Sequence, residues 1–297
     1  MSGAARFAVS TAFLPVEHLG PIAEAAEELG YARLAVPDHV VHLEELEVPY
    51  PYTADGTRRW DEWAPWPDPW VLIGALSQRT TTLEFFTSIF IAPMRNPYVV
   101  AKAVGTAAVL SGNRVALGVG VGWSPGEFAL LGQDFRTRGR RLDEELELLR
   151  ELWSPGWNEF VGELHTTPRL TMEPTPTAAI PILVGGLSDA ALRRAVRHDG
   201  WVGDLFSTDD AIGWVRRLRD LRAATGADGP FQIVVSLNDA FLPEQFQRAF
   251  DEGVTEVLTQ PWVYYPDLDS SVDGTLEGMA RFAADVVQPL TAGPGQR

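Results

Sequence analysis

The sequence predicts a single (β/α)₈ (TIM) barrel, and three observations predict it. Strand-like and helix-like segments alternate about eight times, the length of 297 residues suits such a barrel, and neither a Pro/Gly-rich linker nor an internal repeat divides the chain. A doubly wound open sheet would show the same alternation, so closure is the part of the expectation that only a structure tests. The domain is read as residues 1–290, with 291–297 as a flexible tail.

Hydrophobic periodicity supplies the elements in order. Phe7 to Leu14 reads as a strand, Val16 to Leu29 as a helix ended by Gly30, and Arg33 to Pro37 as the second strand. A helix over Pro69 to Arg79, a strand over Leu83 to Ile91, a helix over Pro97 to Leu110 and a strand over Val115 to Val119 follow. A long amphipathic helix, Arg138 to Trp153, closes the first half. The second half alternates again: strands at Ile182 to Val184, Trp201 to Gly203, Phe231 to Leu237 and Val254 to Thr259. The helices between and after them are Asp189 to His198, Asp209 to Thr225, Pro243 to Glu252 and Gly274 to Val287.

Two connections exceed the usual loop length, and long loops in compact domains are commonly functional. Residues 39–68 follow the second strand, at the C-terminal face where barrel sites form, and carry Tyr50, Tyr52, Trp60, Trp63 and Trp66, which reads as an aromatic lid. Residues 154–180 follow a helix, so they belong to the opposite face and read as an extended connector.

Charge narrows the partners. With 24 basic against 40 acidic residues the formal net charge is −16, which repels phosphodiester backbones and anionic lipid. Nucleic acid and membrane are therefore not expected as partners; no apolar run approaches a membrane span and residues 1–9 lack a secretory pattern, so a cytoplasmic protein is expected. Zero cysteines exclude disulfides, thiolate metal sites, iron–sulfur clusters and a cysteine nucleophile.

Several motifs carry competing readings. Gly122-Trp123-Ser124-Pro125-Gly126 fits the G-x-S-x-G nucleophile elbow, but the residue after the serine is a proline with no N–H for an oxyanion hole, which argues against a serine hydrolase. Gly118, Gly120 and Gly122 miss the dinucleotide spacing because Trp123 stands where the third glycine belongs. They serve either close packing inside a tight barrel or close approach of backbone to a flat ring, with Trp123 beside it. Gly185-Gly186-Leu187-Ser188 lies between a strand and a helix, with Ser188 as N-cap, and is either a capped turn or a phosphate cradle.

Asp38 and His39 end the second strand at the functional face, and His is the side chain suited to proton transfer near neutral pH. Alternation points the two to opposite sides. His39, His42 and Glu45 match no strong metal pattern, and no metal is expected. Arg136, Arg138, Arg140 and Arg141 before Asp143, Glu144, Glu145 and Glu147 read as a solvated helix with intrahelical pairs, one or two arginines being available to an anionic tail.

Taken in order, these motifs resemble the luciferase-like monooxygenase superfamily, in particular its branch of oxidoreductases using coenzyme F420, a 5-deazaflavin. The resemblance rests on Val36-Pro37-Asp38-His39-Val40, Tyr50-Pro51-Tyr52 with Asp55-Gly56, Met94-Arg95-Asn96-Pro97, the stretch from Ser111 through Trp123 to Phe128, Ile182 to Gly186, and Asp199-Gly200-Trp201. It implies a (β/α)₈ barrel, often homodimeric, with the ring at the C-terminal strand ends, and a cis peptide at Ser88–Ile89 forming a bulge behind it. It further implies that Asp38 and His39 contact the coenzyme head, with His39 near the hydride-bearing carbon as the catalytic residue, and that Gly185, Gly186 and Leu187 offer backbone N–H groups to its phosphate. Relatives acting on sugar phosphates carry a glutamate proton donor where this chain has Trp123 and an asparagine where it has Gly126, which points away from that substrate. The expected activity is hydride exchange between F420 and a small organic substrate. The alternatives are an FMN-dependent monooxygenase on the same barrel and a non-catalytic cofactor-binding barrel.

Overall fold

A computed structural model describes residues 5–291. The eight strands are β1 (Phe7–Ser10), β2 (Arg33–Val36), β3 (Glu84–Thr87), β4 (Val115–Val119), β5 (Ile182–Gly185), β6 (Gly200–Phe206), β7 (Gln232–Leu237) and β8 (Glu256–Thr259). Each pairs in parallel with its sequence neighbour and β1 pairs with β8, so the sheet closes into a barrel and the open-sheet alternative falls. Strands this short suffice because both faces are buried: the inner one in the barrel, the outer one under helices.

The helices are α1 (Leu19–Glu28), α2 (Pro69–Ser77), α3 (Pro97–Leu110), α4 (Pro125–Leu130), α5 (Arg138–Leu152), α6 (Asp189–Ala195), α7 (Thr208–Thr225), α8 (Pro243–Glu252), α9 (Val272–Phe282) and, after a π turn, α10 (Gln288–Thr291). Local chemistry starts them: Asp68 caps α2 and Asn96 caps α3, each followed by a first-turn proline whose missing N–H had no helical partner to lose. No described helix is long and apolar enough to cross a membrane. Of the expected tail from residue 291, Thr291 ends α10 and the remainder lies outside the described residues.

Inside the barrel, Ala8, Ala35, Phe86, Ala116, Leu183, Val202 and Val234 form one apolar layer. Below it, at the N-terminal ends of the strands, lies a polar floor. Arg33 Nε binds Glu84 Oε2 at 2.7 Å and its Nη1 reaches Gln232 Oε1 at 2.7 Å and Glu256 Oε2 at 3.2 Å, while Arg6 also reaches both carboxylates. The two acids respond oppositely. Burial raises the Glu256 carboxyl above its ordinary range despite both arginines, because its side chain is sealed and Oε1 has no partner; in half-exposed Glu84 the arginines outweigh burial and hold the carboxyl below it.

Four sequence expectations need correction. The first strand stops at Ser10 because Leu14 N–H closes a turn onto the Thr11 carbonyl, and β3 is interrupted after Thr87, where the Ser88–Ile89 bond is cis, with Phe90 bridging Val119 again before a 3₁₀ turn, Ala92–Met94. The charge run at α5 is tertiary, not intrahelical: Asp143 binds Arg194 and Arg197, Glu144 accepts the N–H groups of residues 163–165, and Arg138 holds the carbonyls of Gly122 and Phe135. Glu145 is buried, with Oε2 unpartnered, and burial pushes its carboxyl up to about 7. Residues 154–180 carry small antiparallel bridges, Asn158 to Leu170 and Val161 to Thr166, tied to α5 through Glu144.

Candidate active site at the barrel mouth

The mouth is shaped from below by Ile89. A Cβ on Gly120 would lie 2.2 Å from Ile89 Cδ1 and one on Gly185 2.6 Å from it, so the absent side chains are what admit Ile89 into the upper barrel. A Cβ on Gly118 would fall 1.8 Å from the Thr87 carbonyl oxygen. Of the two readings open for the glycine run, close packing is the one realised at Gly118 and Gly120. Ser88 donates its N–H to Val36 O, which anchors the start of the bulge to β2.

Asp38 and His39 diverge, as strand alternation requires. The Asp38 side chain is sealed: its two oxygens take a bidentate pair with Arg95 at 2.7 Å each, and Oδ2 also accepts the Ile91 N–H at 2.9 Å. It holds the segment after the bulge against β2, and the side chain itself is fully covered. His39 turns the other way, and its Nδ1 lies 2.8 Å from Glu127 Oε2. The opposite oxygen of Glu127 accepts the Val40 N–H at 2.9 Å and the Val41 N–H at 3.4 Å. Burial alone would raise the Glu127 carboxyl, but the imidazole and the two amides outweigh it and hold the group below the usual carboxylate range. An ionised Glu127 keeps the proton of neutral His39 on Nδ1, which leaves Nε2 as the free nitrogen.

Glu127 was not among the sequence candidates, and α4 was not predicted. The signal lay inside the rejected hydrolase pattern: Ser124 N-caps α4 with Pro125 behind it, and the hydroxyl taken up by the cap is buried. The same helix projects Glu127 at His39. The residues weighed as a metal set separate: His39 goes to Glu127, His42 Nε2 takes Arg58 Nη1 at 2.8 Å, and Glu45 is exposed. Among the described residues no three His, Asp or Glu side chains converge as a metal set.

Residues 39–68 fold over this pair. Around the His39 ring stand Trp66 at 4.7 Å, Trp60 at 5.0 Å and Trp123 at 5.9 Å between centroids, and Tyr50 lies edge-on to both Trp60 and Trp123. Trp63 points away and is 84% exposed. The lid is tied across the mouth by Arg59, whose guanidinium binds both oxygens of Asp204 on β6 at 2.7 and 2.9 Å and the Tyr52 carbonyl. Burial pushes the Tyr50 hydroxyl up to about 12, so it stays protonated beneath the lid at any ordinary pH.

On the far side of the mouth, Gly185-Gly186-Leu187 turns into α6. Gly186 has φ of 117°, Ser188 caps the helix through the Ala191 N–H, and Trp201 Nε1 donates to the Gly186 carbonyl at 2.9 Å. The N–H groups of Gly186, Leu187 and Ser188 meet no acceptor among the described residues. The chain thus gathers an imidazole with one free nitrogen, an apolar aromatic cover and a row of unpaired amides around one opening. A wide indentation at the opposite end of the barrel, lined by Arg219, Arg222 and Phe231, has none of these features.

Comparison with known proteins bears on the family and the fold. A family model described as luciferase-like monooxygenase matches residues 5–242. An uncharacterised protein of Mycobacterium tuberculosis is 38% identical over 285 residues, covering 95% of this chain and 99% of that protein. An F420-dependent glucose-6-phosphate dehydrogenase of Segniliparus rotundus is 28% identical, covering 84% of this chain and 80% of that one. Among solved structures, an F420-dependent secondary alcohol dehydrogenase in complex with an F420-acetone adduct superposes with a TM-score of 0.75 at 16% identity, covering 98% of this chain and 100% of that one.

Proposed function

The chain belongs to the luciferase-like monooxygenase family, and from that premise we propose that it is a coenzyme F420-dependent oxidoreductase acting on a small organic substrate. The observation that carries the reading is the His39–Glu127 pair, closed in by Trp60, Trp66 and Trp123 at the C-terminal mouth of the barrel.

The residues present fit such a coenzyme. The unpaired amides of Gly186 and Leu187 suit a phosphate, and a flat ring would rest over Ile89 and Ser88 with Trp123 and His39 beside it. When bound, a deazaflavin exchanges a hydride with a carbon of the substrate and reacts poorly with oxygen. His39 Nε2 takes or returns the proton of the reacting oxygen, so that loss of hydride and proton together turns an alcohol into a carbonyl. Glu127 orients the ring and stabilises it when charged, and the lid excludes water, which strengthens both effects. Asp38 acts in this scheme through Arg95 and the bulge.

The same reading takes the protein as a cytoplasmic homodimer. Val71 and Val99, on the outer faces of α2 and α3, are 74% and 66% exposed on helices already apolar on their inner faces, as a helix buried on both sides would be.

Fluorescence titration with F420 and with FMN tests the proposal. Saturable binding of F420, at least about tenfold tighter than FMN, is expected, and His39→Ala should retain it while lowering turnover by about 10²-fold or more. Preferential FMN binding with oxygen consumption would replace it by a flavin monooxygenase; tight binding with no turnover that His39→Ala can reduce would leave a binding barrel.

A further inference from the structure

Phe13 is out of place by backbone rules. It sits at the third position of the Thr11–Leu14 turn with φ of 68°, a left-handed conformation that ordinarily selects Gly or Asn and disfavours a bulky side chain. Two bonds hold it there: Thr11 N–H to the Ala35 carbonyl at 3.0 Å and Gln260 Nε2 to the Ala12 carbonyl at 2.9 Å. The result is an aromatic ring that is 39% exposed, lies parallel to Trp60 at 6.0 Å and stands edge-on to Trp66 at 5.7 Å. A disfavoured conformation that presents a side chain at a site points to a role for that side chain.

Charge accounting at the mouth gives the second argument. Arg59 is paired with Asp204 and Arg95 with Asp38, while Arg58 gives its hydrogen bonds to the His42 ring and the Leu43 carbonyl. Arg138 has no carboxylate partner, but its guanidinium holds two carbonyls and lies 3.6 Å from the centroid of the Phe135 ring. Of the two lid arginines, then, Arg59 is neutralised by Asp204 and Arg58 is turned to neutral acceptors. The polar atoms that remain belong to neutral rings. His39 Nε2 is unbonded, and His42 Nδ1 is buried without a partner, carrying the proton because Arg58 donates to Nε2. The crevice beside them is lined by His39, His42, Trp60 and Trp123, with Arg58 and Glu127 bonded to the two imidazoles in its wall.

We infer that the substrate is an uncharged alcohol or carbonyl compound with an aromatic or alicyclic body, held against the Phe13 and Trp60 faces with its oxygen toward the imidazoles. An anionic sugar phosphate would have to desolvate its charge against aromatic rings, with the Arg58 N–H groups already given to His42 and the Leu43 carbonyl. This rests on the oxidoreductase reading above and adds the substrate class to it.

Tryptophan fluorescence titration of the F420-loaded and the coenzyme-free protein tests it, with benzyl alcohol, cyclohexanol and glucose 6-phosphate as probes. Saturable quenching by the two alcohols and none by the sugar phosphate is expected. Phe13→Gly relieves the left-handed backbone while removing the ring, so it should weaken benzyl alcohol binding at least tenfold with the melting temperature unchanged or raised and F420 binding intact. Phe13→Leu, which keeps apolar bulk, should lose affinity for benzyl alcohol more than for cyclohexanol. Binding of glucose 6-phosphate comparable to that of the alcohols, saturation by none of the three, or unchanged alcohol affinity in both variants would overturn the inference. Alcohol binding in a protein that fails to bind F420 would sink the coenzyme reading alone and leave the substrate class standing.

Discussion

Ion pairs close the barrel at both ends, and the two closures are built from different material. At the floor the participants stand at strand starts: Arg33, Glu84, Gln232 and Glu256 each open a strand and Arg6 immediately precedes one. At the mouth the pairs join strand ends to loops and short helices: His39 to Glu127 on α4, Asp38 to Arg95 before α3, Arg59 of the lid to Asp204 of β6. The floor arginine has several partners, whereas the mouth histidine has one and keeps a nitrogen free. The same chemistry therefore serves rigidity at one end and reactivity at the other, and the number of unspent hydrogen-bonding positions tells them apart.

The comparison breaks first at the floor. Arg33→Met leaves Glu256 sealed in the barrel with only Arg6 beside it, and a loss of about 3–5 kcal/mol in urea unfolding is expected; a loss below about 1 kcal/mol would show that the floor is no more structural than the mouth.

A buried acid at neither end calibrates the cost of burial itself. Glu145 in α5 has its folded value raised to about 7 from an ordinary 4.5, so its protonated form is the favoured one. The stability it allows is fully present below about pH 4.5 and is lost as pH rises through about 7, an upper bound of about 3 kcal/mol. Glu145→Gln should abolish that slope between pH 5 and pH 8, and an unchanged slope would assign it elsewhere.

At the mouth the expected effects move from stability to rate. Glu127→Gln keeps an acceptor for His39 but removes the charge, so kcat/KM should fall about tenfold, about 1.4 kcal/mol of transition-state stabilisation, with an altered pH profile. Melting temperature should hardly move; a large drop with unchanged pH profile would make Glu127 structural, like the floor acids. Glu127 is held low, so the pair it forms is present above the ordinary glutamate value and is lost only as pH falls through the lowered one. Smallest of all, Arg59→Ala removes a partly exposed pair worth about 0.5 kcal/mol to stability, and its effect should show in stopped-flow as faster F420 entry.

Much of the barrel was legible because period and punctuation are local properties. Where prediction overran, at Leu14 and after Thr87, the chain stays apolar while its backbone turns, and hydropathy cannot register a change of direction. Asp38 and His39 were legible as candidates from their place after a strand, but their partners, Arg95 and Glu127, lie far along the chain and become visible only on closure. The lid was legible in composition and not in detail: Trp60 and Trp66 pack on His39 while Trp63 faces solvent, a distinction set by contacts between segments. The charged start of α5 misled because helical spacing offers intrahelical partners for residues whose tertiary partners are nearer.

The seat of Ile89 ties three distant positions into one inheritance. Alanine at 120 or 185 would collide with the isoleucine, and a smaller residue at 89 would leave a void under the mouth. A change at any one of the three asks the other two, or the Ile89 rotamer, to give. Gly120→Ala and Ile89→Ala should each harm the protein more than the two together, and a lineage that enlarges one position should be found to have shrunk another.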